Sequence, residues 1–183
     1  MLVNRKVKQF MYKNDRDIPK TKLLVLTSLL FAVALVLAIL ENSFPPLFVT
    51  VPGIKLGLSN IPVMYALFFL DKKPAFMIAI LKASYVLITR GFIAGILSLC
   101  GGILSLLIML LLLVIFSDKI SYFVLSILGA VFHNIGQFVA ISLIYTNIYL
   151  WVYLPVLLIS GVVAGMATST LLRLIMPAFK RMA

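Results

Sequence analysis

Long apolar runs separated by short polar breaks make up most of the chain, and this pattern predicts membrane-spanning helices. A helix that crosses a bilayer needs about 20 apolar residues, and six runs come close to that length. The runs are continuously apolar rather than alternating, which favours helices over barrel strands. The predicted spans are Thr21 to Leu40, Ile54 to Leu70, Pro74 to about Ile88, about Leu97 to Ser117, about Ile120 to Tyr145, and about Leu150 to Met176.

The segment before the fourth span is apolar but rich in glycine. It reads FIAGILSLCGG from Phe92 and follows the polar break Thr89-Arg90-Gly91. We interpret its start as a loop or a re-entrant turn, because glycine is a weak helix former.

The composition is too apolar for a soluble domain of this size. Of the 183 residues, 63% are hydrophobic and 11% charged, and the mean hydropathy is +1.19. Soluble domains average about 45–50% apolar and about 25% charged residues. We therefore expect an all-α, polytopic membrane protein with six transmembrane helices. Its predicted parts are a basic tail over residues 1–20, the six-helix domain over residues 21–176 and a short tail over residues 177–183.

The charges predict the orientation of the chain in a cell membrane. The formal net charge is +11, and seven of the 16 Lys and Arg residues lie in residues 1–22. By the positive-inside rule both termini are cytoplasmic, and the basic tail suits anionic lipid head groups. Nucleic-acid binding is not expected, because no aromatic and basic reading surface follows. The single cysteine, Cys100, excludes an internal disulfide and a multi-cysteine metal site, and we expect no cofactor.

The longest polar interruption, ENSFPPLFVTVPGIKLGLSNIP, covers Glu41 to Pro62. Ionisable groups beside hydrocarbon are costly and are functional candidates by default. The predicted topology brings Glu41, Lys55 and Arg90 together on the outer side, and Asn60 follows Lys55 in the second span.

Lys82 is a further cation, near the middle of the third span. It precedes Arg90 by eight residues, so the two lie within about 80° of each other on a helix. Three cations against Glu41 favour an anionic ligand such as a carboxylate, phosphate or diphosphate. The alternative for Lys55 and Arg90 is that they snorkel to the membrane interface.

A second polar cluster, His133, Asn134 and Gln137, lies in the fifth predicted span. His133 and Gln137 are four residues apart and share a helix face. The cluster either lines a cavity or forms a hydrogen-bond network between helices, which is common in membrane bundles.

Several catalytic motifs are missing from the sequence. It has no GxxxxGK[ST] motif for ATP binding, no pair of Asp-rich clusters for magnesium and no catalytic triad pattern. We therefore expect a protein that is not itself an enzyme, and any uphill transport would need a partner or an ion gradient.

Two runs, ENSFPP with VPGIKLGLSNIPVMYAL and later GAVFHNIGQ, resemble the Gx transporter family, which is also described as heptaprenyl diphosphate synthase component I. The run LKASYVLITRGFIAG fits the same pattern, and the resemblance covers roughly residues 21–176. The family is similar in size and span count to the S components of energy-coupling-factor transporters, which implies a six-helix, S-component-like bundle.

The resemblance also implies candidate roles for particular residues. Ala34 and Ala38 are similar to the AxxxA motif with which S components dock on a transmembrane coupling subunit, itself driven by ATPases. The connection after the first helix would act as a gate over a ligand near the outer face. The candidate binding residues are Glu41, Lys55, Asn60, Lys82, Arg90, His133, Asn134 and Gln137.

Three functions remain open at this point. The first is a substrate-binding transporter subunit for an anionic or isoprenoid-related nutrient, energised by a partner module. The second is a membrane accessory subunit of heptaprenyl diphosphate synthase. The third is a scaffold whose polar groups only lock helices together.

Overall fold

The computed structural model describes residues 19–43, 58–116, 120–145 and 148–182, and these residues are almost entirely helical, with no β-strand among them. The all-α prediction is therefore confirmed. The helices are α1 (Lys20–Ser43), α2 (Ile61–Phe69, entered through a 3₁₀ turn at Leu58–Asn60), α3 (Lys72–Arg90), α4 (Phe92–Phe116), α5 (Tyr122–Ile144) and α6 (Leu154–Met182, preceded by a 3₁₀ segment at Ile148–Tyr153).

Four of these helices are long and apolar enough to cross a membrane, namely α1, α4, α5 and α6. Helix α2 is apolar but short, with nine residues, and at about 1.5 Å per residue it covers less than half of a hydrocarbon core. Helix α3 has 19 residues but contains Lys72, Lys73, Lys82 and Arg90. Four membrane-length helices are thus established for the described residues, and the predicted six spans are not confirmed.

The interpretation of the segment after Phe92 as a loop or re-entrant turn is wrong. Helix α4 begins at Phe92, directly after Gly91, which has a φ of 90°. A positive φ suits glycine, because it has no Cβ to clash. Gly95 then lets α4 fold back against α3, since a Cβ there would lie 2.5 Å from Cβ of Leu87. The glycines of this segment therefore make a tight turn between two helices.

Helices α4, α5 and α6 pack side by side, and glycine allows their close approach. A Cβ on Gly136 would lie 2.8 Å from the carbonyl oxygen of Cys100, and one on Gly165 would lie 2.5 Å from Cα of Ile127. Close backbone approach at small residues is the usual way in which membrane helices associate.

Helix α1 packs against the Leu58–Asn60 turn, α2 and α3, on the other side of the bundle. Its buried face includes Leu30 and Ala34, whereas Val36 and Ile39 are exposed. An exposed apolar face is what a lipid-facing helix requires, because hydrocarbon is as apolar as the side chains. Helix α1 therefore has one face packed on the bundle and another face suited to lipid.

Candidate functional site

Lys82 lies near the middle of α3 and is buried, with 4% of its surface exposed. Its ammonium donates hydrogen bonds to Oδ1 of Asn60 and, at 3.4 Å, to Oγ of Ser59. Both acceptors belong to the 3₁₀ turn that leads into α2. A lysine inside an apolar bundle needs such partners, because an isolated charge there is costly.

Glu41 is the acidic member of the same region. It lies in the last turn of α1, is 8% exposed, and its carboxylate interacts electrostatically with the Lys82 ammonium. Helix α1 also packs on the turn that contains Ser59 and Asn60. In the part of the chain that the structure describes, Glu41 and Lys82 are the two charged side chains that are buried. Their opposite charges partly neutralise each other.

A small cavity of about 30 Å³ lies beside Lys82, at the centre of the bundle. This volume has room for one or two water molecules. The Leu58–Asn60 turn and each of the helices α2 to α6 contribute to its wall. Most of the wall is apolar or glycine, and six of the 14 lining residues are polar. The lining residues are Asn60, Val63, Met64, Ala79, Lys82, Gly102, Ser105, Leu106, Met109, Ser126, Gly129, Ala130, His133 and Thr168.

His133 faces this cavity from α5. Its Nε2 lies 3.3 Å from Nε2 of Gln137, so the two side chains meet on one helix face. The other ring nitrogen, Nδ1, is buried without a side-chain partner, and the backbone of Gly101 lies close to the ring and interacts with it. His133 also interacts electrostatically with Lys82. We call Lys82, Ser59, Asn60, Glu41 and His133 together the Lys82 site.

Asn134 serves a different purpose from its neighbour His133. Its Nδ2 donates to the carbonyl oxygen of Leu157 at 2.8 Å and to Oγ of Ser160 at 3.3 Å, both on α6. Asn134 does not line the cavity. The alternative stated for the second polar cluster, a hydrogen-bond network between helices, therefore describes Asn134, while His133 is turned to the cavity.

Arg90 lies apart from the Lys82 site, whereas Ala34 and Ala38 are on the same helix as Glu41. Arg90 ends α3 with an exposed side chain, about 12 Å along the helix from Lys82. Ala34 and Ala38 are buried in this chain, with 0% and 8% of their surfaces exposed, and their docking role stays a prediction. Lys55 and most of the connection from Glu41 to Gly53, which was predicted to act as a gate, lie outside the described residues.

Sequence reasoning missed Ser59 and most of the cavity wall. Ser59 is adjacent to Asn60, so a search for partners of Lys82 could have included it. Ser126 and Thr168 line the cavity from α5 and α6, but serine and threonine are common in apolar helices and gave no separate signal. Within the described ranges, no group of three or more His, Cys, Asp or Glu side chains is placed to hold a metal ion.

The chain matches the sequence model of the family "Heptaprenyl diphosphate synthase component I" over residues 30–175. The matched range contains every member of the Lys82 site. Searches of curated proteins and of solved structures found no match. The resemblance to S components is therefore not confirmed, and it remains a prediction.

Proposed function

Since the chain belongs to the heptaprenyl diphosphate synthase component I family, we propose that it is a membrane subunit that holds an anionic isoprenoid, a prenyl diphosphate or its precursor, at the Lys82 site. The observation that carries this proposal is the buried Lys82 ammonium beside a mostly apolar cavity. A buried ionisable group within apolar helices is a functional candidate by default, because its burial has a cost that packing alone does not require.

The cavity matches the two chemical parts of such a ligand. Lys82 and the Asn60 amide can bind phosphate oxygens, and charge-assisted hydrogen bonds are the strong ones. Met64 and Met109 supply part of the apolar wall, and methionine adapts readily to the shape of an apolar chain. At about 30 Å³ the cavity is smaller than a prenyl diphosphate, so binding requires the helices around Lys82 to move apart.

The catalytic step itself is assigned to a partner subunit. Magnesium-dependent chemistry on a diphosphate uses several clustered oxygen ligands, but the sequence has five Asp and Glu residues, and they are scattered. The described side chains do not fit a metal centre, so no metal-dependent step is derived for this chain. Its proposed task is to bind and present the isoprenoid at the membrane.

The partner would meet the end of the bundle where α3 begins. Lys72 and Lys73 are exposed there, and by the positive-inside rule this end faces the cytoplasm. A soluble synthase subunit would therefore approach the basic end, and the ligand would pass between Lys82 and that subunit within the membrane.

Reconstitution in liposomes tests this proposal. The protein is combined with a candidate soluble prenyl diphosphate synthase subunit, and long-chain products are measured by mass spectrometry. We expect product only when both proteins are present, loss of product with Lys82→Met, and unchanged product with the control Arg90→Met, which removes an exposed cation at the opposite end of α3 from Lys72 and Lys73. Equal product in the absence of this protein would overturn the proposal.

A second candidate is the substrate-binding subunit of a transporter for the same class of ligand. One observation favours it: the Leu58–Asn60 turn leads into the short helix α2 beside the buried Lys82. Transport proteins often bind a substrate where a membrane helix is interrupted. Co-purification of a pair of ATPases and ATP-dependent uptake would favour this candidate, whereas dependence of prenyl synthesis on the protein favours the first.

A further inference from the structure

Glu41 and Lys82 come from different helices, and both helices contact one turn of the chain. Helix α1, which ends with Glu41 in its last turn, packs on Leu58–Asn60, and Lys82 on α3 donates to Ser59 and Asn60 in that turn. Both charged side chains are buried, and they interact electrostatically. Without a bound anion, Glu41 is therefore the counter-ion of Lys82.

The other groups near Lys82 do not supply negative charge. An ammonium has three donors, and Ser59 and Asn60 are neutral acceptors for two of them. The other described acid is Asp71. It immediately precedes α3 and lies about 16 Å from Lys82 along the helix axis. His133 faces Lys82 from α5 and contributes no negative charge.

An anionic ligand at Lys82 would bring a second negative charge beside Glu41. Like charges at short range repel strongly when water is excluded, so the carboxylate and the ligand cannot both remain against one ammonium. Ligand binding therefore requires Glu41 to withdraw.

We propose that Glu41 is a built-in competitor for the anion site at Lys82, and that the ligand displaces its carboxylate and shifts the last turn of α1. This inference rests on the proposed function and adds a selection rule to it. A ligand must carry more negative charge or more acceptor oxygens than a carboxylate to replace one. A phosphate or diphosphate meets that requirement, whereas a simple carboxylate does not.

A titration of farnesyl diphosphate into the full-length protein in lipid nanodiscs tests this exchange. Glu41→Gln keeps the size of the side chain and removes the competing charge, so we expect it to bind the probe at least about tenfold more tightly than the wild type. Asp71→Asn is the matched control, because it removes the same charge far from Lys82. We expect the affinity of this control to stay within about twofold of the wild type.

The ligand preference gives a second readout. Farnesoic acid, a carboxylate of similar apolar length, should bind the wild type weakly and gain affinity in Glu41→Gln. If Glu41→Gln does not fold, Glu41→Asp keeps the charge but withdraws it by one methylene, and a smaller gain in farnesyl diphosphate affinity is expected.

The outcomes separate this inference from the proposed function. If the wild type binds farnesyl diphosphate and Lys82→Met loses it, the proposed function stands. Unchanged or weaker binding by Glu41→Gln, or by Glu41→Asp in its place, would then overturn the competitor role alone. If the wild type binds no prenyl diphosphate, the proposed function and this inference both fail.

Discussion

Two groups of buried polar side chains lie in this bundle, and they differ in what completes their hydrogen bonds. The first group is the α5–α6 seam, which is formed by Ser126, Asn134, Ser160 and Gly165. Its side-chain donors bind backbone carbonyls either on the facing helix or on their own helix. Ser126 Oγ donates to the Gly165 carbonyl at 2.8 Å, and Ser160 Oγ donates to the Leu157 carbonyl at 2.8 Å. The first contact joins α5 to α6, the second lies within α6, and neither involves a charge.

The Lys82 site has the opposite character. Its central group is a cation, its acceptors are side chains on a short turn, and its counter-charge comes from another helix. A cavity lies beside it, and His133 faces that cavity from α5. Burial of a polar group in a membrane bundle therefore does not by itself indicate function. The informative combination is a buried charge with space beside it.

Removal of the Lys82 ammonium is expected to have the largest effect. Lys82→Met should weaken farnesyl diphosphate binding by about 100-fold, since a charge-assisted hydrogen bond contributes roughly 1.5–3 kcal/mol. Equilibrium binding in nanodiscs measures it, with the exposed Lys73→Met as the control. If Lys82→Met leaves Glu41 unpaired and fails to fold, the neutral pair Lys82→Met with Glu41→Gln should restore the fold without restoring binding. Undiminished binding by either variant would contradict a ligand role for Lys82.

A second variant disturbs the close packing of the α5 and α6 backbones. Gly165→Ala places a Cβ 2.5 Å from Cα of Ile127, and overpacking of this kind costs about 1–3 kcal/mol. Thermal unfolding in detergent measures the loss. Gly102→Ala is the matched control, because its nearest contact would be an ordinary 3.8 Å to Ala79. Equal stability of the two variants would show that the close approach of α5 and α6 is not needed.

Removal of the Asn134 amide from the α5–α6 seam is expected to have the smallest effect. Asn134→Leu removes the bonds to Leu157 and Ser160, and hydrogen bonds between membrane helices contribute about 0.6 kcal/mol on average. We therefore expect a slight loss of thermal stability and unchanged affinity for farnesyl diphosphate. Ser142→Ala, which removes an exposed hydroxyl on the same helix, is the control. A large loss of ligand affinity in Asn134→Leu would place Asn134 in the binding site after all.

Much of the fold followed from the apolar pattern, because a bilayer imposes long helices on any chain that spans it. Helices α1, α5 and α6 were predicted within a few residues, although α6 continues to Met182 rather than ending near Met176. The start of α4 was missed because glycines were interpreted as a loop, whereas Gly91 makes the turn and Gly95 permits the packing. Local propensity could not show that contact between two helices.

The site was predictable only in part. Lys82, Asn60 and His133 stood out because polar groups are rare in apolar runs, and the structure brings all three to one cavity. The purpose of each polar group was not visible in the sequence. His133 and Asn134 are adjacent, yet one faces the cavity and the other α6, since neighbours on a helix point about 100° apart. The resemblance to S components gave Ala34 and Ala38 a docking role, which stays a prediction, and the structure shows both side chains buried within the chain.

Native mass spectrometry of the gently purified protein tests directly whether the Lys82 site holds a prenyl diphosphate, because it measures the masses of bound ligands and partners together. We expect the wild type and Asn134→Leu to retain a bound molecule with the mass of a prenyl phosphate or diphosphate, and Lys82→Met to have lost it. A bound molecule of another class, or equal retention of a prenyl diphosphate by Lys82→Met, would contradict the proposed role of the Lys82 site.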